Sequence, residues 1–272
     1  MDLSHARTRA FCRSPLLVAF LLSAPCWADP VTADQEVPRR FVEAGLGPGV
    51  YQISDDIVRG LRWRGPSVEF DSSFRYATPT ERHEAFLRIG AAYLEDRYDH
   101  AAVSASHHLG YGFSRRVLRA GRWGSLFLGG QIREDVDLQY YIDWDEEHAY
   151  WLSSYGLAAA ARYEVQVAPG HGFDVSLAVP VLGWVGRPSE FHYYKADDLK
   201  SAGWIVEKPF DGLSFASLDK YQAAHLGVGY TLHPRRGWSL RLAYLLDYRR
   251  ASFPRPTQIL VNTLTAGVVY AY

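Results

Sequence analysis

The last stretch of the chain alternates strictly, and that alternation constrains the fold more than any other feature. Leu264, Ala266, Val268, Tyr270 and Tyr272 occupy one set of positions, and Thr263, Thr265, Gly267, Val269 and Ala271 the other. Successive side chains of a β-strand point to opposite faces, so this segment presents one apolar face that ends in two tyrosines.

The pattern recurs upstream. Trp238, Leu240, Leu242, Tyr244, Leu246 and Tyr248 alternate with Ser239, Arg241, Ala243, Leu245, Asp247 and Arg249; Tyr155, Leu157, Ala159, Ala161, Tyr163 and Val165 alternate with Ser154, Gly156, Ala158, Ala160, Arg162 and Glu164. In each case bulky apolar residues fall on one side and small or charged residues on the other. Strands are expected over 41–51, 65–77, 84–95, 102–114, 124–139, 150–167, 172–184, 221–232, 237–249 and 258–272. A soluble sandwich would bury the bulky stripe and place the charges in bulk water.

Connection lengths decide between the two arrangements. Thr78 to Glu81, the arginine-rich stretch Arg115 to Arg122, Pro169 to His171 and His233 to Arg236 read as short turns. Between them come longer segments: Gln52 to Arg64, Asp96 to Ala101, Tyr140 to Ala149, Val185 to Lys220 and Arg250 to Thr257. Short turns at one end, long loops at the other and an even strand number are the marks of a transmembrane barrel. The expected fold is therefore all-β, a closed antiparallel barrel of ten strands, with eight or twelve as neighbouring solutions. Tyr270, Tyr272, Trp238, Tyr163 and Tyr230 would ring the periplasmic rim and Tyr93, Tyr155, Tyr244 and Tyr248 the other, where an amphipathic ring meets both hydrocarbon and water.

The N-terminus agrees with export. Arg7, Arg9 and Arg13 precede the short apolar run Pro15 to Leu22, and Cys26-Trp27-Ala28 ends in a small residue, so residues 1–28 read as a signal peptide cleaved after about Ala28. The apolar run is too short to span a bilayer as a helix. Residues 29–40, with Pro30 and Pro38, read as a flexible periplasmic lead-in, 41–272 as the barrel, and 186–220 as its long extracellular loop.

Composition narrows the function. Hydrophobic residues make up 48% and charged residues 22% of the 272, which is incompatible with a disordered chain. The net charge is −1, and removal of Arg7, Arg9, Arg13 and Asp2 with the leader takes it to −3, so nucleic acid is not an expected partner. Both cysteines, Cys12 and Cys26, lie in the leader, which excludes disulfides, thiolate metal sites and cysteine nucleophiles from the mature chain. No cofactor and no metal site is expected.

With its leader, its alternating strands and a final strand ending Val268-Val269-Tyr270-Ala271-Tyr272, the chain resembles the Gram-negative outer-membrane β-barrel proteins. The run Gly47-Pro48-Gly49-Val50-Tyr51 followed by Ser54-Asp55-Asp56 is similar to the first strand and loop of the MipA/OmpV-like barrels. The class resemblance implies residence in the outer membrane, assembly by the barrel-assembly machinery, and outer-membrane lipid and lipopolysaccharide as surroundings. It names no protein partner.

Several residue groups could carry a function. Glu69, Asp71, Arg75, Arg88, Arg133, Asp135, Asp137, Arg162, Glu164, Asp174, Arg241 and Asp247 fall on lumen-facing stripes. A ten-stranded lumen is narrow, so such charges must pair or meet trapped water. They would form either a polar plug or the lining of a narrow channel for small solutes. Ser104, Ser106 and His108 share one stripe of the fourth strand, and His225 could join them. A hydroxyl beside a base is the minimum of a nucleophilic lipid or lipopolysaccharide hydrolase, although residues two apart on one strand are ~7 Å apart and need a third group. His107 falls on the lipid-facing stripe, which calls for a place near the outer rim or a bulge. The tip Asp143 to His148 clusters carboxylates without the glycine of a calcium loop and reads as solvated charge. The longest loop holds Tyr193, Tyr194, Lys195 and Trp204, aromatics beside a cation that suit contact with a sugar, a phosphate or a protein. Loop presentation for binding or envelope organisation, without evident catalysis, is the expected role; the channel and the rim hydrolase are the alternatives.

Overall fold

The computed structural model describes residues 39–56, 61–142, 148–188, 210, 212–235 and 237–272. The proposed leader, most of the lead-in, the acidic tip 143–147 and the loop residues Tyr193, Tyr194, Lys195 and Trp204 lie outside them.

The strands are β1 (Arg39–Asp55), β2 (Leu61–Ala77), β3 (Glu81–Glu95), β4 (Ala101–Arg119), β5 (Ser125–Tyr141), β6 (His148–Ala168), β7 (His171–Gly186), β8 (Ser214–Ser217), β9 (Tyr221–Arg235), β10 (Trp238–Ala251) and β11 (Thr257–Ala271). Strands β1 to β7 pair antiparallel in chain order, and β9, β10 and β11 continue the sheet. β1 pairs with β11 from Phe41↔Ala271 to Asp55↔Thr257, which closes the cylinder. β7 pairs with β9 over His171–Ala178 and with the four-residue β8 over Leu182–Val185, so β8 and β9 together make one interrupted stave of a ten-stranded barrel. The pairing row that leaves β1 low, at Val42, runs through Phe74, Ala85, Tyr111, Ile132 and Leu157 to Leu182, near the far end of β7. That climb is the stagger a closed barrel requires of tilted strands.

The faces sort as a membrane demands. Leu240, Leu242, Leu264 and Val268 are exposed large apolar residues, whereas Thr263, Thr265 and Asp247 point inward and are buried. Arg241, between exposed Leu240 and Leu242, turns into the lumen and pairs there. Both described chain ends and the short connections lie at one end, the periplasmic one by this asymmetry.

The strands run further than the alternation of apolar residues predicts. Pairing continues to Asp55 on β1 and begins at Leu61 on β2, within a segment expected to be loop. Most of the arginine-rich stretch expected as a turn is strand, since β4 continues to Arg119 and only Ala120 to Gly124 reverse the chain. β9 likewise reaches Arg235, and β1 starts at Arg39, inside the expected lead-in. The long loop expected to reach Lys220 contains β8, which carries Phe215 on the outer wall edge-on to Trp184 and Ala216 inward and buried. For β1, β2, β4 and β9 the physical reason is the same: towards the strand ends the outward residues become polar, so the stripe fades while backbone pairing goes on; β8, with Phe215 outward, is instead too short for its alternation to show.

The inward side chains of the loop-bearing half make the apolar core. Tyr51, Ile53, Trp63, Leu94, Tyr141, Tyr150, Leu152 and Ile259 are each at most 3% exposed and belong to one cluster. Trp63 meets Tyr141 edge-on at 4.8 Å between ring centroids, and Tyr141 meets Tyr150 at 5.6 Å. At the mouth, the β3–β4 turn is held by Asp96, whose Oδ1 accepts the backbone N–H groups of Tyr98 (2.7 Å) and His100 (3.1 Å) while Oδ2 lies 2.9 Å from His100 Nδ1. Burial works against the Asp96 charge, but the His100 ring and the two N–H donors outweigh it and hold the carboxyl below its ordinary value.

Two outcomes follow. Trp63→Ala removes one of the two fully buried tryptophans among the described residues and should cost about 3–5 kcal/mol in reversible urea unfolding from lipid vesicles. Because the folded Asp96 carboxyl is depressed, its contribution is complete above the ordinary aspartate value of about 3.9 and is lost as pH falls through the lower folded value. Amide exchange of Tyr98 and His100, read by NMR, should accelerate in that acidic window, and Asp96→Asn should flatten the dependence.

Candidate functional site

The lumen below the apolar core holds the candidate site. Near the periplasmic end Arg75 pairs with Glu43 and lies 3.5 Å from Glu84. Arg162 reaches Glu84 at 3.0 Å, Arg241 spans Glu43 (2.8 Å) and Asp174 (2.5 Å), and Arg82 binds Glu164 at 2.9 Å. Arg241 has room because Gly229 on β9, opposite Ala243 and diagonal to Arg241, has no side chain; a Cβ there would collide with the guanidinium. Glycine there is a requirement of packing.

A second layer lies deeper. Arg88 pairs with Asp247, whose other oxygen is 2.5 Å from His225 Nδ1. Asp135 accepts from His108 Nδ1 at 2.9 Å and from Arg133 Nη2 at 3.0 Å, and His225 Nε2 lies 3.8 Å from it. A cavity of about 150 Å³ sits between the layers, lined among others by Asp71, Arg88, Arg133, His225 and Asp247. Above it Arg249 pairs with Asp137, to which Tyr51 Oη donates at 3.1 Å; Gln139 Nε2 donates to the same Tyr51 oxygen at 3.2 Å. The Arg249 and Asp137 side chains are 1% and 0% exposed. At the top Arg187 reaches Asp55 at 2.7 Å.

The structure thus brings Arg75, Arg88, Arg133, Asp135, Arg162, Glu164, Asp174, Arg241 and Asp247 into paired contacts inside the barrel. Glu69 and Asp71 line the same interior but enter no ion pair among the described residues, and each keeps a buried oxygen without a hydrogen-bond partner. Ser104, Ser106 and His108 all face inward, with Ser104 and His108 buried. His108 and His225 each have a carboxylate partner, but neither serine hydroxyl hydrogen-bonds an imidazole among the described residues. The chemistry this arrangement supports is charge neutralisation and hydrogen bonding among acids, guanidinia and two imidazoles.

Sequence reasoning passed over Glu43, Arg82, Glu84, Arg249 and the Arg187–Asp55 pair. Arg249 stood on a stripe with Arg241 and Asp247, so the alternation already pointed to it. Glu43 needed the β1 register, and Asp55 and Arg187 lay in segments read as loop. His107 faces outward with no shift in the β3–β4 register around it, so no bulge accounts for it. Its Nε2 lies 2.9 Å from Glu134 Oε1, a diagonal partner on the next strand, and the pair is partly exposed.

Comparison with solved structures places the fold. The chain is similar to the outer-membrane protease OmpT of Escherichia coli, at a TM-score of 0.54 and 8% identity, over 86% of this chain and 96% of that one. The fold is that of a Gram-negative outer-membrane β-barrel. The translocator domain of the autotransporter NalP from Neisseria meningitidis aligns at a TM-score of 0.43 and 12% identity over 88% of this chain and 90% of that one. The attachment invasion locus protein Ail of Yersinia pestis aligns at 0.30 and 13% over 86% and 99%. No protein-family model matches the chain. No curated protein matches it either.

Removing one partner of the fully buried upper pair strands the other charge beneath an apolar layer. Arg249→Ala should destabilise the barrel by about 3–5 kcal/mol in urea unfolding from vesicles. The double change Arg249→Ala with Asp137→Ala should recover part of that loss, because no lone carboxylate remains.

Proposed function

We propose that this outer-membrane barrel does not conduct freely and that it presents its extracellular loops for binding or for organising the surrounding envelope. The observation that carries the reading is the apolar cluster around Trp63, Tyr141 and Tyr150, in which inward side chains from many staves are almost fully buried. A solute crossing this half of the lumen would have to displace aromatic rings packed at 4.8–5.6 Å. Beneath the cluster the paired guanidinia and carboxylates, Arg249–Asp137 and Arg88–Asp247, offer little free charge to an ion. The strands also exceed the ~10 residues a bilayer needs, so the loop-bearing end stands clear of the hydrocarbon and is suited to presentation.

A narrow channel is the second reading, favoured by the charged cavity on the periplasmic side of the cluster. The hydrolase reading on Ser104, Ser106, His108 and His225 has less support, since its hydroxyls and imidazoles are not joined. The likeness to OmpT concerns the fold, and proteolysis is not carried over.

Planar-bilayer recording of the refolded protein separates the first two readings. Wild type should give a silent trace, and Trp63→Ala combined with Tyr141→Ala should admit discrete openings. Openings in wild type would establish the channel and end the closed-lumen reading. Removal of residues 190–209, which spares β8, should abolish any surface binding the intact protein shows while leaving the barrel folded.

A further inference from the structure

One region of the outer wall is polar and carries arginines without an internal ion-pair partner among the described residues. A single pairing row crosses five neighbouring strands through Gln222, Arg250, Gln258, Ser54 and Arg62. All five side chains point outward, and Arg62, Arg250, Gln222 and Gln258 are exposed. The next row toward the membrane reads Tyr248, Leu260, Gln52 and Arg64, and the one below it Leu246, Asn262, Val50 and Pro66. The wall therefore passes, within a few residues, from an apolar surface to one with three arginines and several amide or hydroxyl donors. Arg62, Arg64 and Arg250 enter no ion pair among the described residues, although Glu95 stands opposite Arg64 in the register.

We propose that this patch binds the phosphate groups of lipopolysaccharide in the outer leaflet. Guanidinium groups match phosphate oxygens bidentately, and glutamine amides and a serine hydroxyl supply further hydrogen bonds. Arg62 and Arg250 lie three strands apart, about 14 Å at the usual strand spacing, a reach suited to phosphates at the two ends of a disaccharide head group. The acyl chains of such a lipid run down Leu260, Val50 and Leu246, so one ligand satisfies both halves of the surface. The position of the patch at the loop-bearing end selects the outer leaflet over the inner one. The inference concerns the outside of the wall and holds whether or not the lumen conducts.

The test is a binding titration of the detergent-purified, folded full chain with three lipids: lipopolysaccharide, the same glycolipid after dephosphorylation, and phosphatidylglycerol. Folding is checked by heat-modifiable mobility on gels. Replacing Arg62, Arg64 and Arg250 together by Gln should weaken lipopolysaccharide binding by at least about tenfold, given the attraction of each basic residue to an anionic membrane surface. Arg62→Gln and Arg250→Gln alone should each give a smaller loss, which keeps the test usable if the triple variant does not fold. Arg115→Gln with Arg116→Gln, which removes charge at the opposite end, should bind as wild type does. Unchanged binding by the folded triple variant, equal binding of the dephosphorylated lipid, or phosphatidylglycerol binding as tightly as lipopolysaccharide would each overturn the proposal.

Discussion

Backbone hydrogen bonding in hydrocarbon is the constraint on which the rest of this molecule depends. No water is available there to satisfy an N–H or C=O, so a sheet can cross only if its first and last strands pair. The β1–β11 ladder does this from Phe41↔Ala271 to Asp55↔Thr257. Once the sheet is closed, every residue of a stave within the hydrocarbon faces either lipid or lumen. The alternation of Leu264 with Thr265, or of Leu240 with Arg241, is the result.

Closure also dictates how the interior is filled. Ten staves enclose a narrow lumen, so the charged side chains that face it must pair or meet trapped water. The chain solves this differently along the axis. In the periplasmic half, arginines and carboxylates share partners, as Arg241 does between Glu43 and Asp174, and inward glycines such as Gly229 make the room. In the loop-bearing half, aromatic and aliphatic residues take over, with the buried ion pairs Arg249–Asp137 and Arg187–Asp55 as exceptions. Pairing matters at such burial, because a lone charge there costs several kcal/mol.

Much of this was legible in the alternation. It gave the number of staves, the outward apolar stripe, and inward positions for residues such as Arg88, Asp135 and Asp247. What it could not reach was the part of each stave that leaves the membrane. Outward residues there are Gln52, Arg62, Arg64 and Arg250, so the apolar stripe ends and strand looks like loop. Trp63, the center of the apolar cluster, was hidden for that reason within a segment read as a connection. The partners within the lumen were also beyond reach, because Arg88 meets Asp247 and Arg249 meets Asp137 only after the sheet has curled and brought distant staves face to face.

The interrupted stave has a mechanical meaning. β7 leaves β9 at Ala178 and takes up β8 at Leu182, so Val179, Pro180 and Val181 have no ladder partner on that side, and Pro180 has no N–H to offer. Like a hoop with a soft stave, the wall resists widening by its ladders and offers less resistance at this joint, where three consecutive residues lack a partner on one side. Breathing of the cylinder is therefore easier along that line than along an unbroken ladder.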